Sequence, residues 1–140
     1  MSLNISDDIR TALLNDGSIT ALLGLWNSAP SIHTRRPIPE NAEYPAVIVL
    51  SRDVNDEDGL ESSRPIADYD ISVYGRQKQD YRSVESLGFF VRDLFHRKRF
   101  AITPSGVSVI EIVCRGPMIA PTDDASLTGR LVTLQVKLKE

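Results

Sequence analysis

Two histidines, a single cysteine and a run of carboxylates are the residues of this 140-residue chain whose types could do chemistry. A histidine acts as a base or a metal ligand only with a nucleophile or further ligands in reach. His33 lies in a proline-rich stretch and His96 stands directly before Arg97, Lys98 and Arg99, and neither has such a partner at a recognisable spacing. His96 reads instead as a cation at the negative end of a helix dipole. A serine–histidine–aspartate set needs no closeness in sequence, but no nucleophile elbow or similar local signature marks one here. Cys114 falls inside an apolar run and has no second cysteine to pair with, so it reads as a small buried hydrophobe.

The carboxylates cluster in Asp53-Val54-Asn55-Asp56-Glu57-Asp58-Gly59. Oxygen ligands at alternate positions are what a hard cation such as calcium requires. The register fails: counted from Asp53, glycine comes seventh and the twelfth position is Arg64, a cation where a bidentate carboxylate is needed. Residues 53–63 therefore read as a solvated loop too acidic to bury. Thr103-Pro104-Ser105-Gly106 is not a phosphate loop but a turn before a strand. His96 to Arg99, flanked by Phe95 and Phe100, has the make-up of a small basic patch. In a chain of 16 basic and 19 acidic residues with a net charge of -3, it reads as a charged helix end. No cofactor or metal site, and no catalytic set, emerges; a hydrolase reading rests only on the abundance of acids such as Asp68 and Asp70.

These residues must be positioned by a single domain spanning residues 1–140, since the length suits one core and leaves no room for a second. The start of the chain lacks a basic segment followed by an apolar one, which speaks against a secretion signal. No apolar run approaches the roughly 18 residues of a membrane span, so a soluble protein is expected. Ser6 as N-cap, Asp7 and Asp8 in the first turn, and Ile9, Ala12 and Leu13 at helical spacing predict a helix over 7–15. Gly17 would close it in a left-handed conformation, and Ser18 would cap a short turn through Ile19, Leu22 and Leu23 ending at Gly24. Residues 30–45 hold four of the eight prolines and read as an extended connector.

The apolar run 46–50 reads as a central strand covered on both faces. Residues 66–74 alternate, with Tyr69, Ile71 and Val73 opposite Asp68, Asp70 and Ser72, as in a half-exposed strand. After Gly75, Asp80 would cap a long helix with an apolar stripe of Tyr81, Val84, Leu87, Gly88, Val91, Leu94 and Phe95. Residues 107–114 form a strand apolar on both faces: Val107, Val109 and Val113 on one, Ile110 and Ile112 on the other. Residues 115–129 read as turns, and Val132, Leu134, Val136 and Leu138 alternate in a last strand. The fold class is α+β: an N-terminal helix and a four-stranded, mostly antiparallel sheet with one long amphipathic helix packed on it, in the order α-β-β-α-β-β. One helix cannot cover both faces, and each exposed Val or Ile represents about 1.5–3 kcal/mol of unclaimed burial, so an apolar sheet face would drive association.

The ordered series of features resembles the tail-completion, or tail-terminator, proteins of long-tailed bacteriophages and prophages. It is carried by Ala12-Leu13-Leu14, Ala21-Leu22-Leu23, Ile32-His33-Thr34-Arg35-Arg36-Pro37-Ile38-Pro39, Tyr44-Pro45-Ala46-Val47-Ile48-Val49, Tyr69-Asp70-Ile71-Ser72-Val73-Tyr74, the helix from Asp80 and the closing alternating strand. The resemblance implies a non-enzymatic virion subunit, made in the host cytoplasm and placed on the tail. It implies a ring, typically of about six copies, on the head-proximal end of the tail tube. The implied partners are further copies of itself, the tail tube protein and the head-tail connector or stopper; DNA only passes through, and no membrane is involved. In such a ring Asp53, Asp56, Glu57 and Asp58 would face the channel, and neutralising them would impair DNA passage while leaving ring formation intact. Two other readings stand beside it: a head-closure or neck connector subunit, and a small dimeric α+β module that binds a regulatory ligand.

Overall fold

The computed structural model describes residues 5–56, 65–122 and 124–139, with side chains for all of these except 53–56 and 65. The N-terminal helix α1 spans Ser6–Leu14, and its Ile9 and Leu13, one turn apart, are fully buried. Ile5 rather than Ser6 stands at the cap position, and Ser6 is the first helical residue. Gly17 does not close α1; it opens a second, short helix α2, Gly17–Thr20. Asp16 caps that turn, its carboxylate accepting from the backbone N–H groups of Ser18 at 2.9 Å and Ile19 at 3.2 Å. Ser18 therefore sits one step inside the helix it was expected to cap.

The proline-rich connector is more structured than its composition suggests. Leading into it, and reaching its first residue Pro30, is a hairpin of two-residue strands, β1 (Leu25–Trp26) with β2 (Ala29–Pro30), turning through Asn27 and Ser28. Both turn residues have positive φ, 51° and 65°, the pattern whose twist matches paired strands. A further two-residue strand, β3 (Ile32–His33), then pairs in parallel with the start of β4 (Ala46–Asp56). β5 (Pro65–Arg76) follows, then helix α3 (Tyr81–Phe95), β6 (Ser108–Ile119) and β7 (Leu127–Lys139). The sheet has five strands, not four, in the order β3-β4-β5-β7-β6, and is antiparallel apart from the β3–β4 pair.

Several expectations shift with that order. β5, not the 46–50 segment, is central. Asp53 and Asp56 are not in a loop: β4 runs through them, pairing Asp53 with Asp68 and Asp56 with Pro65. Backbone pairing carries the strand past the point where its side chains stop being apolar. Glu57 and Asp58 lie outside the described residues. In β6 an irregularity at Ile110 inverts the alternation, so that Ile112 and Cys114 join the core while Val113 turns to the other face. Val109 and Val113 do not share a face as expected. β6 also continues through residues expected to be turns, across a second irregularity at 116–117.

α1 lies over β3 and β4, and α3 over β5, β7 and β6, so one face of the sheet is covered by helices. The α3 stripe buries Val84, Leu87, Val91 and Phe95 completely against Tyr69, Ile71, Val132, Leu134 and Val136. At about 1.5–3 kcal/mol per side chain, this layer is the main source of stability. Gly88 permits the approach: a Cβ there would stand 2.8 Å from Pro117 Cβ. Tyr81, by contrast, is 46% exposed and lies outside the core. Asp80 fixes the turn before α3 by accepting from the Arg76 N–H at 2.8 Å rather than by capping the helix N–H groups.

The other face of the sheet is not the apolar surface expected. Connector residues Pro37, Ile38 and Tyr44 lie over its β4 end beside Ile48 and Tyr74. Beyond them Arg52 pairs with Asp70 at 2.8 Å, and Lys137 with Glu111 at 3.9 Å. Association through a bare Val/Ile sheet face is therefore ruled out as the driving contact.

Candidate assembly surface

No catalytic set is built around His33. Its Nε2 lies 2.8 Å from Ser31 Oγ, the distance of a nucleophile–base pair, but Ser31 has no exposed surface and His33 is buried. The ring meets the edge of Trp26 with centroids 5.2 Å apart. Burial, and secondarily the Arg10 guanidinium, push the His33 pKa below its usual value, so the ring is held neutral. Arg10 Nε donates to the Ile32 carbonyl at 3.1 Å, on the outer edge of β3. These contacts lock the connector to α1 and cover a sheet edge.

The His96 imidazole is engaged by the sheet rather than left at a free helix end. α3 ends there in an extended residue, and His96 Nδ1 accepts from the Cys114 N–H of β6 at 3.0 Å, which places any ring proton on Nε2. The next residue, Arg97, adopts a left-handed φ of 60° and donates its own N–H to the Ile112 carbonyl at 2.8 Å. The helix end thus clips onto the outer edge of β6, filling backbone positions that would otherwise await a partner strand. Cys114 is buried as expected, and burial raises its thiol to about 12 against the opposing effect of Arg92.

The clip projects charge. Arg97, Lys98 and Arg99 are all exposed, and Phe100 beside them is 78% exposed with the Arg99 guanidinium 4.7 Å from its ring centre. Ile110, on the same outer strand, is also exposed. On the opposite side of the molecule, β4 carries Asp53 and Asp56, and among the described residues no strand pairs with its outer edge beyond Ile48. α1 sits above this strand with its N-terminus, bearing Asp7 and Asp8, anchored by the Ile5 N–H on Tyr69 Oη at 2.9 Å. Asp68 and Asp70, the other acidic pair, lie half-buried on the open face, where Arg52 engages Asp70.

A third feature escaped the sequence reading. Phe89 and Phe90 fall outside the α3 stripe and are 56% and 36% exposed, and Ile119 at the end of β6 is 78% exposed. Two adjacent phenylalanines off an otherwise regular stripe were the visible signal. Next to Ile119, Arg130 ties α3 to the sheet through Glu85 at 3.2 Å and reaches the ring of Tyr81. Among the described residues, no group of three or more His, Cys, Asp or Glu gathers at metal-binding distances, and no helix is long and apolar enough to cross a membrane.

No protein-family model matches the sequence, and no curated protein matches it. Comparison with solved structures finds the same fold in a chain of the virion of a native gene transfer agent particle. The TM-score is 0.78 at 13% identity, over 97% of this chain and 95% of that one. At that identity the likeness is one of fold, and it extends over nearly the whole length of both chains.

Proposed function

We propose that this chain is a non-enzymatic virion assembly subunit that forms a ring at the head-proximal end of a phage-type tail tube, ends tube growth and offers the surface that docks to the head. The observation that carries the reading is the end-to-end likeness of fold to a virion chain. The side-chain arrangement supports it. Among the described residues the serine–histidine contact is buried, both histidines are spent on structure, and the exposed groups include cations and large apolar side chains suited to protein contacts. Its partners on this reading are further copies of itself, the tube protein and the connector. A head-closure subunit of the neck would share the same surfaces and differ only in which end of the joint it occupies.

The test is to polymerise the cognate tail tube protein with and without this chain. Tubes that stop at a fixed length with a ring of density at one end support the terminator reading. Tubes that grow unchanged, while the protein binds portal-bearing heads instead, favour the head-closure reading.

A further inference from the structure

Resting on the reading of this chain as a virion subunit, we infer that the turn after α3, Arg97 to Ala101, docks an acidic segment of a different protein of the particle. That segment brings carboxylates to Arg97, Lys98 and Arg99 and an apolar side chain to Phe100. The turn is rigid before any partner arrives. The Arg97 N–H donates to the Ile112 carbonyl at 2.8 Å, the Lys98 N–H to the Phe95 carbonyl at 3.1 Å and the Ala101 N–H to the Lys98 carbonyl at 3.0 Å. Phe95 and Ile102 anchor its two ends in the core. A backbone pinned in this way has little freedom left to lose on binding. Yet between those anchors it turns Phe100 outward, 78% exposed. The helix dipole accounts for cations at this end and for nothing about the phenyl ring. With Leu94 and Ala101, the ring and the three cations line an open recess of about 560 Å³. An aromatic ring set among arginines is the make-up of an interface hot spot.

Charge names the occupant. Among the described residues none of the three cations forms an ion pair. Of the nearby acids, Glu111 faces Lys137 at 3.9 Å, which leaves Asp93, one turn back on α3, as a single carboxylate against three cations. The surface is therefore positive and its complement acidic. A second copy supplies no such complement from its described residues, where acids stand beside cations: Asp7 and Asp8 share α1 with Arg10, Glu40 and Glu43 share the connector with Arg35 and Arg36, and Asp70 holds Arg52. An added strand does not fit either, because Arg97 and His96 already fill the Ile112 carbonyl and the Cys114 N–H on the outer edge of β6. Nucleic acid is disfavoured by the ring itself. The Arg99 guanidinium lies 4.7 Å from its centre and covers a face on which a base would stack. The contact is thus one of side chains, carboxylates around an apolar knob.

The probes are the purified cognate tube protein, the purified cognate head connector and a short DNA duplex. The wild type is expected to bind one of the two proteins with a Kd that rises at least about tenfold between about 50 and about 500 mM salt. Lys98→Glu with Arg99→Glu should weaken that binding more than about tenfold. Lys98→Gln with Arg99→Gln should weaken it less and flatten its salt dependence, and Phe100→Ser should weaken it at every salt concentration. All three side chains are exposed, and circular dichroism melts check that each variant folds as the wild type does. Variants that bind both proteins as the wild type does overturn the assignment and leave the subunit reading standing with another docking surface. Duplex DNA held more tightly than either protein, through the same cations, overturns it in favour of a nucleic-acid contact. A light-scattering mass that changes in the variants while both proteins still bind overturns it in favour of a contact between copies. If the wild type binds neither protein the assignment falls, and the tube-length assay then decides the subunit reading by itself.

Discussion

At the scale of single residues, Cys114 and the two histidines are each explained by burial or backbone pairing. Cys114 is 5% exposed and its thiol is held at about 12, so almost no thiolate exists near neutral pH. The native protein should resist maleimide at about pH 7.5 and react promptly once unfolded in denaturant; rapid labelling of the native state would place Cys114 outside the core. His33 makes a prediction about pH. Because its folded pKa lies below the ordinary 6.5, the unfolded chain binds the proton first as pH falls. Its contribution to stability is therefore intact above 6.5 and lost progressively as pH drops from there toward the lower folded value. Thermal midpoints measured at about pH 7.5 and about pH 5 should fall on acidification, and the fall should be smaller in His33→Gln, which cannot take up the proton. An equal fall in both proteins would remove His33 as the cause.

At the scale of elements, the α3 stripe carries the core, and Leu87→Ala should cost about 2–5 kcal/mol in a chemical denaturation experiment. The helix end behaves differently. Removing the imidazole by His96→Ala leaves the Cys114 N–H on an outer strand without its acceptor, a loss of about 1–3 kcal/mol that His96→Asn should partly restore. α3 and β7 were legible in the sequence because each is long and buried on one face, so period and face agree over many residues. β3 was not: two residues carry no period, and Ile32–His33 become a strand only because β4 offers an edge. The phase of β6 was lost at Ile110, where one extra residue exchanges the faces of everything after it. Asp16 was passed over as a cap because the sequence offers Ser18 two residues later at a plausible spacing.

At the scale of the whole molecule, the association surface expected from the sequence does not exist where it was placed. The open sheet face is polar and partly covered by the connector, and the exposed apolar residues sit on the α3 flank, at the helix end and at the tip of β6. What the sequence could not supply was the lateral order of the strands, which puts β4 and β6 on opposite sides of the central strands. Both strands were visible as apolar runs, yet a run has no neighbour until the topology gives it one. The measurement that tests the central claim most directly is the solution mass of the purified protein by light scattering over a range of concentrations. The account predicts a mass that climbs with concentration toward a closed ring of about six subunits. A stable dimer, unchanged by concentration, would contradict it and point instead to a ligand-binding module.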